Sequence, residues 1–124
     1  MAIRTKNKTI KTSIITTTCF SLPSRNDPWK EAITNYLDFA DEVIVIYGVK
    51  RDGEELEKEF GDKITKRYVK WPYKWHWDEI GKHYNAALEL ATGDVIIKCD
   101  IDYFIHEDCI PKFKSQLSEF IKMG

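Results

Sequence analysis

The chain is poor in the features that announce a function from a distance. Its three cysteines, Cys19, Cys99 and Cys109, form no CxxC and leave an odd count. Buried thiols are therefore expected, with Cys19 and Cys99 in strands and Cys109 at a helix start, and a reducing compartment is favoured. No segment approaches the ~20 apolar residues of a membrane span, and no signal-peptide core follows the N-terminus. Charge is balanced, with 19 Lys and Arg against 20 Asp and Glu. A net charge of −1 exerts no global pull toward nucleic acid or an anionic membrane. No GxGxxG or Walker pattern surrounds Gly48 or Gly53, which read as turn residues rather than phosphate cradles. Internal repeats, low-complexity tracts and linkers are missing too.

What is present is enough for one core. At 124 residues there is room for a single domain. Hydrophobic content of 43% with 13% aromatics marks a foldable, globular chain. Residues 1–12 carry Arg4, Lys6, Lys8 and Lys11 among polar neighbours and read as a solvated basic tail. The domain proper spans 13–124. A cytoplasmic location is expected, with any membrane association through a partner or a longer parent chain.

Strands and helices alternate along it. Residues 13–20 are β-branched and apolar, a first strand feeding a loop with turn residues. Asp27 is placed to cap a helix with Pro28 in its first turn and a stripe of Trp29, Ala32, Ile33, Tyr36, Leu37 and Ala40. Residues 43–47 form a short apolar run, as expected of a strand covered on both faces. A turn-rich loop, 49–53, precedes a short helix over 54–60 that Gly61 ends. Residues 64–69 predict a third strand, polar enough to lie near a sheet edge. The aromatic-basic stretch 70–77 follows. Asp78 then caps a helix with Ile80, Tyr84, Ala87, Leu88 and Ala91 on one side, stopped by Gly93. A short buried strand begins at Val95, and a final helix buries Ile110, Phe113, Leu117, Phe120 and Ile121. The order β-α-β-α-β-α-β-α predicts a single α/β, Rossmann-like domain, its sheet mainly parallel with helices on both faces.

Asp100 and Asp102 stand directly after the last strand. Residues at i and i+2 of an extended chain share a side, so both carboxylates can converge at the strand's carboxyl end, where open α/β sheets bind ligands. Two hard oxygen donors suit Mg²⁺ or Mn²⁺, which in turn would hold phosphates. His106 is left out of this set, because a lone histidine before a helix is commonly a surface residue. Thr16, Thr17 and Thr18 end the first strand near the same place. Trp71, Tyr73, Trp75 and Trp77, with Lys70 and Lys74 between them, suggest base or sugar stacking. Packing is the leading account for Trp71 and Trp77, and nucleic acid has no strong signal.

Four stretches together resemble the nucleotide-sugar-binding half of a family-2-type glycosyltransferase of the GT-A fold. Residues 39–46 are similar to the family's "DEIVVVD" strand, and 48–53 sit where it has a "DSGSTDGT" loop. Tyr84 to Asp94 resembles the "RNxAIxxAxGD" helix, and Cys99 to Phe104 falls on "LDADEF". The likeness runs from about Ser13 through the final helix. It implies a donor nucleotide-diphospho-sugar held through Mn²⁺ or Mg²⁺, with Asp102 as principal metal ligand. Asp100 would act through water or the donor's ribose. Donor contacts are implied at Thr17, Thr18, Asp52, Lys82 and Asn85, and inverting transfer to an acceptor hydroxyl of a glycan, lipid or protein is the expected reaction.

Three departures qualify what the likeness implies. The nucleobase-reading acid after the second strand is replaced by Tyr47 and Gly48, which shifts base recognition to Asp52, Lys50 or Lys82, or changes the donor. The arginine before the helix asparagine is Tyr84. The family's catalytic base lies well beyond the Asp-x-Asp motif, so it is expected from a longer parent or a partner domain supplying the acceptor site, and Glu107 and Asp108 read as helix-start residues. The alternative is a non-catalytic nucleotide-sugar-binding or interaction domain. A nucleotidyltransferase is disfavoured, because the loop from Ser21 to Asp27 holds Arg25 but no glycine.

Overall fold

The computed structural model describes residues 10–22, 25–72 and 77–123. Strands β1 (Thr12–Thr18), β2 (Glu42–Tyr47), β3 (Thr65–Tyr68) and β4 (Val95–Lys98) form one sheet in the order β3-β2-β1-β4, every pairing parallel. Between and after them run α1 (Trp29–Phe39), α2 (Asp52–Phe60), α3 (Trp77–Leu90) and α4 (Ile110–Met123). The expected α/β architecture is therefore present, and the two apolar strands are the two central ones.

Position in the sheet explains strand composition. β1 and β2 are buried nearly throughout, while β3 and β4 are half-buried or exposed at each residue. The polar third strand is an edge, as its sequence predicts. The expectation of a buried strand at Val95 is corrected: β4 is the other edge, and Ile96 is 40% exposed. On one face α1 and α2 pack Ile33, Tyr36, Phe39 and Leu56 against Ile14, Val43 and Val45. On the other, α3 sets Tyr84 and Ala87 against Ile15, Ile44 and Ile46.

Several local expectations are corrected. Asp27 does not cap α1; Pro28 occupies the cap position, and both Asp27 oxygens accept from the Arg25 guanidinium at 2.9–3.1 Å. α2 begins at Asp52, which draws Asp52 and Gly53 out of the predicted loop. β1 starts at Thr12, one residue inside the predicted tail, and ends at Thr18. Cys19 and Cys99 are buried as expected, whereas Cys109 is exposed. Phe113 meets Phe39 edge-on yet stays 42% exposed. Tyr73, Lys74, Trp75, His76, the basic residues Arg4, Lys6 and Lys8, and the side chains of Trp77, Phe120 and Ile121 lie outside the described residues.

The amino end of the sheet is tied by one carboxylate. Glu42 accepts from the Ser13 hydroxyl at 2.7 Å, the Thr92 amide at 2.8 Å and the Thr92 hydroxyl at 2.9 Å. Burial works against its charge, but these bonds and the Lys11 ammonium outweigh burial and hold the carboxyl below its ordinary range. The Gly93 amide donates to Ser13 Oγ at 2.9 Å, and a β-carbon on Gly93 would stand 2.4 Å from that oxygen. Glycine is needed there for close approach.

Candidate functional site

Chain order and sheet order diverge between β1 and β4. The chain leaves β1 through α1 for one neighbour, and reaches the other neighbour through α3 on the opposite face. Helices thus diverge above the shared carboxyl ends of β1 and β4, opening the kind of crevice in which α/β sheets bind ligands. A cavity of about 240 Å³ occupies it, bordered by Thr17 and Thr18 at the end of β1, by Cys19 just beyond, and by Asp100, Ile101 and Asp102 after β4. Arg25, Trp71, Ile80 and Tyr84 complete the lining.

The two aspartates reach the cavity by a turn rather than by strand alternation. β4 ends at Lys98, and the Tyr103 amide donates to the Asp100 carbonyl at 2.9 Å, closing a tight turn over 100–103. Tyr36, fully buried on α1, fixes that turn from below: its hydroxyl lies 2.5 Å from the Asp100 carbonyl and 2.7 Å from the Tyr103 carbonyl. From the other face, the Tyr84 hydroxyl donates to Asp100 Oδ1 at 3.1 Å. Burial, reinforced by surrounding charges that include both aspartates, pushes both phenols well above their ordinary range and keeps them as donors.

Arg25 is the cation of the cavity lining among the described residues. Burial disfavours its charge, but the bidentate bond to Asp27 and the nearby Asp27 and Asp102 charges hold the guanidinium protonated. The Cys19 thiol is pushed up by burial, against a smaller opposing pull from Arg25, so it is no thiolate nucleophile. On the α3 side, Thr17 Oγ1 lies 2.9 Å from Nδ1 of His83. Burial lowers the imidazole's affinity for a second proton, against smaller opposing effects of the Lys70 backbone and the Glu79 charge, and Nε2 has no hydrogen-bond partner among the described residues. Trp71 rests edge-on against the same ring, with centroids 5.3 Å apart.

The residues singled out from sequence divide sharply. Thr17, Thr18, Asp100 and Asp102 border one cavity. Lys82 is exposed on α3 and pairs with Glu79 at 3.0 Å, and Asn85 is exposed on the same helix; neither borders the cavity. Asp52 is fully buried at the start of α2, and neither of its carboxylate oxygens has a hydrogen-bond partner among the described residues. Thr16 is fully buried in β1, and its hydroxyl has no hydrogen-bond partner among the described residues. Sequence reasoning missed Arg25, Tyr84 and Trp71 as lining. A basic residue in the loop after the first strand was the available signal for Arg25.

The donor chemistry fits a small divalent cation in part. With Asp100 Oδ1 engaged by Tyr84, its Oδ2 and the Asp102 carboxylate remain as hard oxygen donors. Mg²⁺ commonly takes one or two carboxylates and completes its shell with water and phosphate oxygens. Among the described residues no group of three or more His, Cys, Asp or Glu could form a closed protein cage. No helix among those residues is long and apolar enough to cross a membrane. Comparison with protein-family models, curated proteins and solved structures returned no match, so any functional reading rests on this crevice.

Proposed function

We propose that the domain binds a nucleotide-diphospho-sugar in the β1–β4 crevice, with Mg²⁺ or Mn²⁺ at Asp100 and Asp102, and serves transfer of the sugar to an acceptor hydroxyl. The observation that carries this reading is the meeting of Asp100, Asp102, Thr17, Thr18 and Arg25 around one cavity at the point where the strand order reverses. A divalent ion there would stabilise charge on the departing diphosphate. Asp102 would be its principal holder, Asp100 a holder oriented by Tyr84. Arg25 offers a fork of donors suited to phosphate oxygens, and the threonine hydroxyls would contact the nucleoside.

A second reading has its own support. Asp100 and Asp102 are the only carboxylates bordering the cavity among the described residues, and Glu107 and Asp108 lie outside it. With both aspartates committed to a cation, none of the lining residues is left to deprotonate an acceptor. A binding domain that holds the donor without transferring it, or relies on a partner domain for the acceptor site, has the same crevice.

A thermal-shift screen of nucleotide sugars with and without Mn²⁺ tests binding, since a ligand of the folded state raises its apparent stability. Calorimetry on Asp102→Ala then tests the site: metal-dependent affinity is lost while the unfolding midpoint without ligand stays put. Unchanged affinity in that variant sinks the metal role. Product analysis on the screen's hits separates transfer from binding alone.

A further inference from the structure

We propose that the hollow at the ends of β2 and β3 is a second anion site, independent of metal, that takes the phosphoryl group of a ring-bearing ligand of mononucleotide size. The hollow measures about 480 Å³ and lies across Trp71 from the aspartate crevice, since that residue borders both. Its charged lining is of one sign. Lys50 follows β2, Lys70 follows β3, and no carboxylate borders the hollow among the described residues. Both lysines are exposed, and neither ammonium has an acidic partner there. Elsewhere on the surface Lys11, Lys30, Lys66 and Lys82 each meet a glutamate.

The backbone holds the two lysine-bearing segments side by side. The Val69 amide donates to the Tyr47 carbonyl at 3.0 Å and the Trp71 amide to the Gly48 carbonyl at 2.8 Å, so Lys70 is bracketed by bonds to the end of β2. An ammonium offers donors and no acceptor, and a pair of them complements a group that only accepts. A phosphomonoester is such a group and carries close to two negative charges at neutral pH. Beside the lysines stand Tyr68, 38% exposed, and the half-buried Trp71, with Leu22 and Val49 as further apolar lining. Flat aromatic surface next to cationic donors suits a ring carrying a phosphate. The inference goes beyond the proposed function, because it needs neither aspartate and no cation.

The test is an amide chemical-shift titration of the whole chain with AMP, adenosine and inorganic phosphate, in chelator and at low ionic strength. AMP is expected to shift Gly48, Lys50, Lys70 and Trp71 saturably, with a dissociation constant in the millimolar range, and adenosine to bind about tenfold more weakly. The double variant Lys50→Gln, Lys70→Gln should weaken AMP by about tenfold, while the double arginine variant and Asp102→Asn retain it. Equal binding of adenosine and AMP overturns the proposal, as does AMP affinity unmoved by the glutamine variant. Loss of AMP binding in Asp102→Asn overturns it as well, by assigning the nucleotide to the aspartate crevice. Failure of metal-dependent donor binding, by contrast, counts against the proposed function alone.

Discussion

The Tyr84 hydroxyl donates to Oδ1 of Asp100 across 3.1 Å, from the second turn of α3 to the loop beyond β4. The same ring carries the Lys98 ammonium 4.5 Å from its centroid and packs in the core beneath. Removing only the oxygen separates orientation from packing. Tyr84→Phe should cost about 1 kcal/mol of stability. Freed from that contact, Asp100 should hold a metal-bound donor about tenfold less tightly. Calorimetry with Mn²⁺ and urea unfolding read the two effects apart; an unaltered donor affinity would show that Tyr84 orients nothing.

Tyr36 makes a separate prediction about the turn over 100–103. Its single hydroxyl serves two carbonyls from a fully buried position. Tyr36→Phe leaves both without that donor, at an expected cost of about 1–3 kcal/mol. Amide exchange at Tyr103 should speed up with the loss, because its bond to the Asp100 carbonyl loses its support. Protection unchanged from the parent would count against this arrangement.

Glu42 gives the amino end a defined acid sensitivity. Its carboxyl is held below the ordinary value of 4.5 in the fold. The stabilisation is therefore fully present above that value and lost as pH falls through the lower folded one. Urea unfolding of the parent and Glu42→Gln should differ by about 2 kcal/mol near pH 7 and converge in strong acid. A difference constant across that range would mean that charge contributes nothing.

His83 acts at higher pH. Burial keeps its ring neutral in the fold, so the unfolded chain takes up a proton first as pH drops below the ordinary 6.5. Stability then falls with falling pH. His83→Gln should unfold with a shallower pH dependence between pH 7 and 5, whatever its absolute stability. Parallel slopes for the two proteins would exclude the imidazole as the cause.

The sheet was largely legible because its evidence is local. Continuous β-branched runs mark β1 and β2 as doubly covered, and the polar Thr65–Tyr68 marks itself as an edge. Asp100 and Asp102 could be read from their place after a strand. Asn85 could not: one helical residue is about 100° of rotation, and burying His83, Tyr84 and Ala87 turns Asn85 toward solvent. Asp52 was misplaced because α2 starts two residues before its turn chemistry suggests, which carries the carboxylate inside. Arg25 enters the cavity only once the loop after β1 folds back on Asp27, and nothing in the spacing states that.

The close seat of Gly93 on Ser13, beside Thr92 on Glu42, has a bearing on how this chain should be compared with others. The Thr92-Gly93-Asp94 triplet closes the Tyr84 to Asp94 stretch of the sequence likeness, yet its contacts are with Lys11, Ser13 and Glu42, at the sheet end remote from the crevice. It is a signature of assembly, recording how a crossover returns to a parallel sheet. In this chain the triplet reports on how the sheet closes and says nothing of the ligand at the other end.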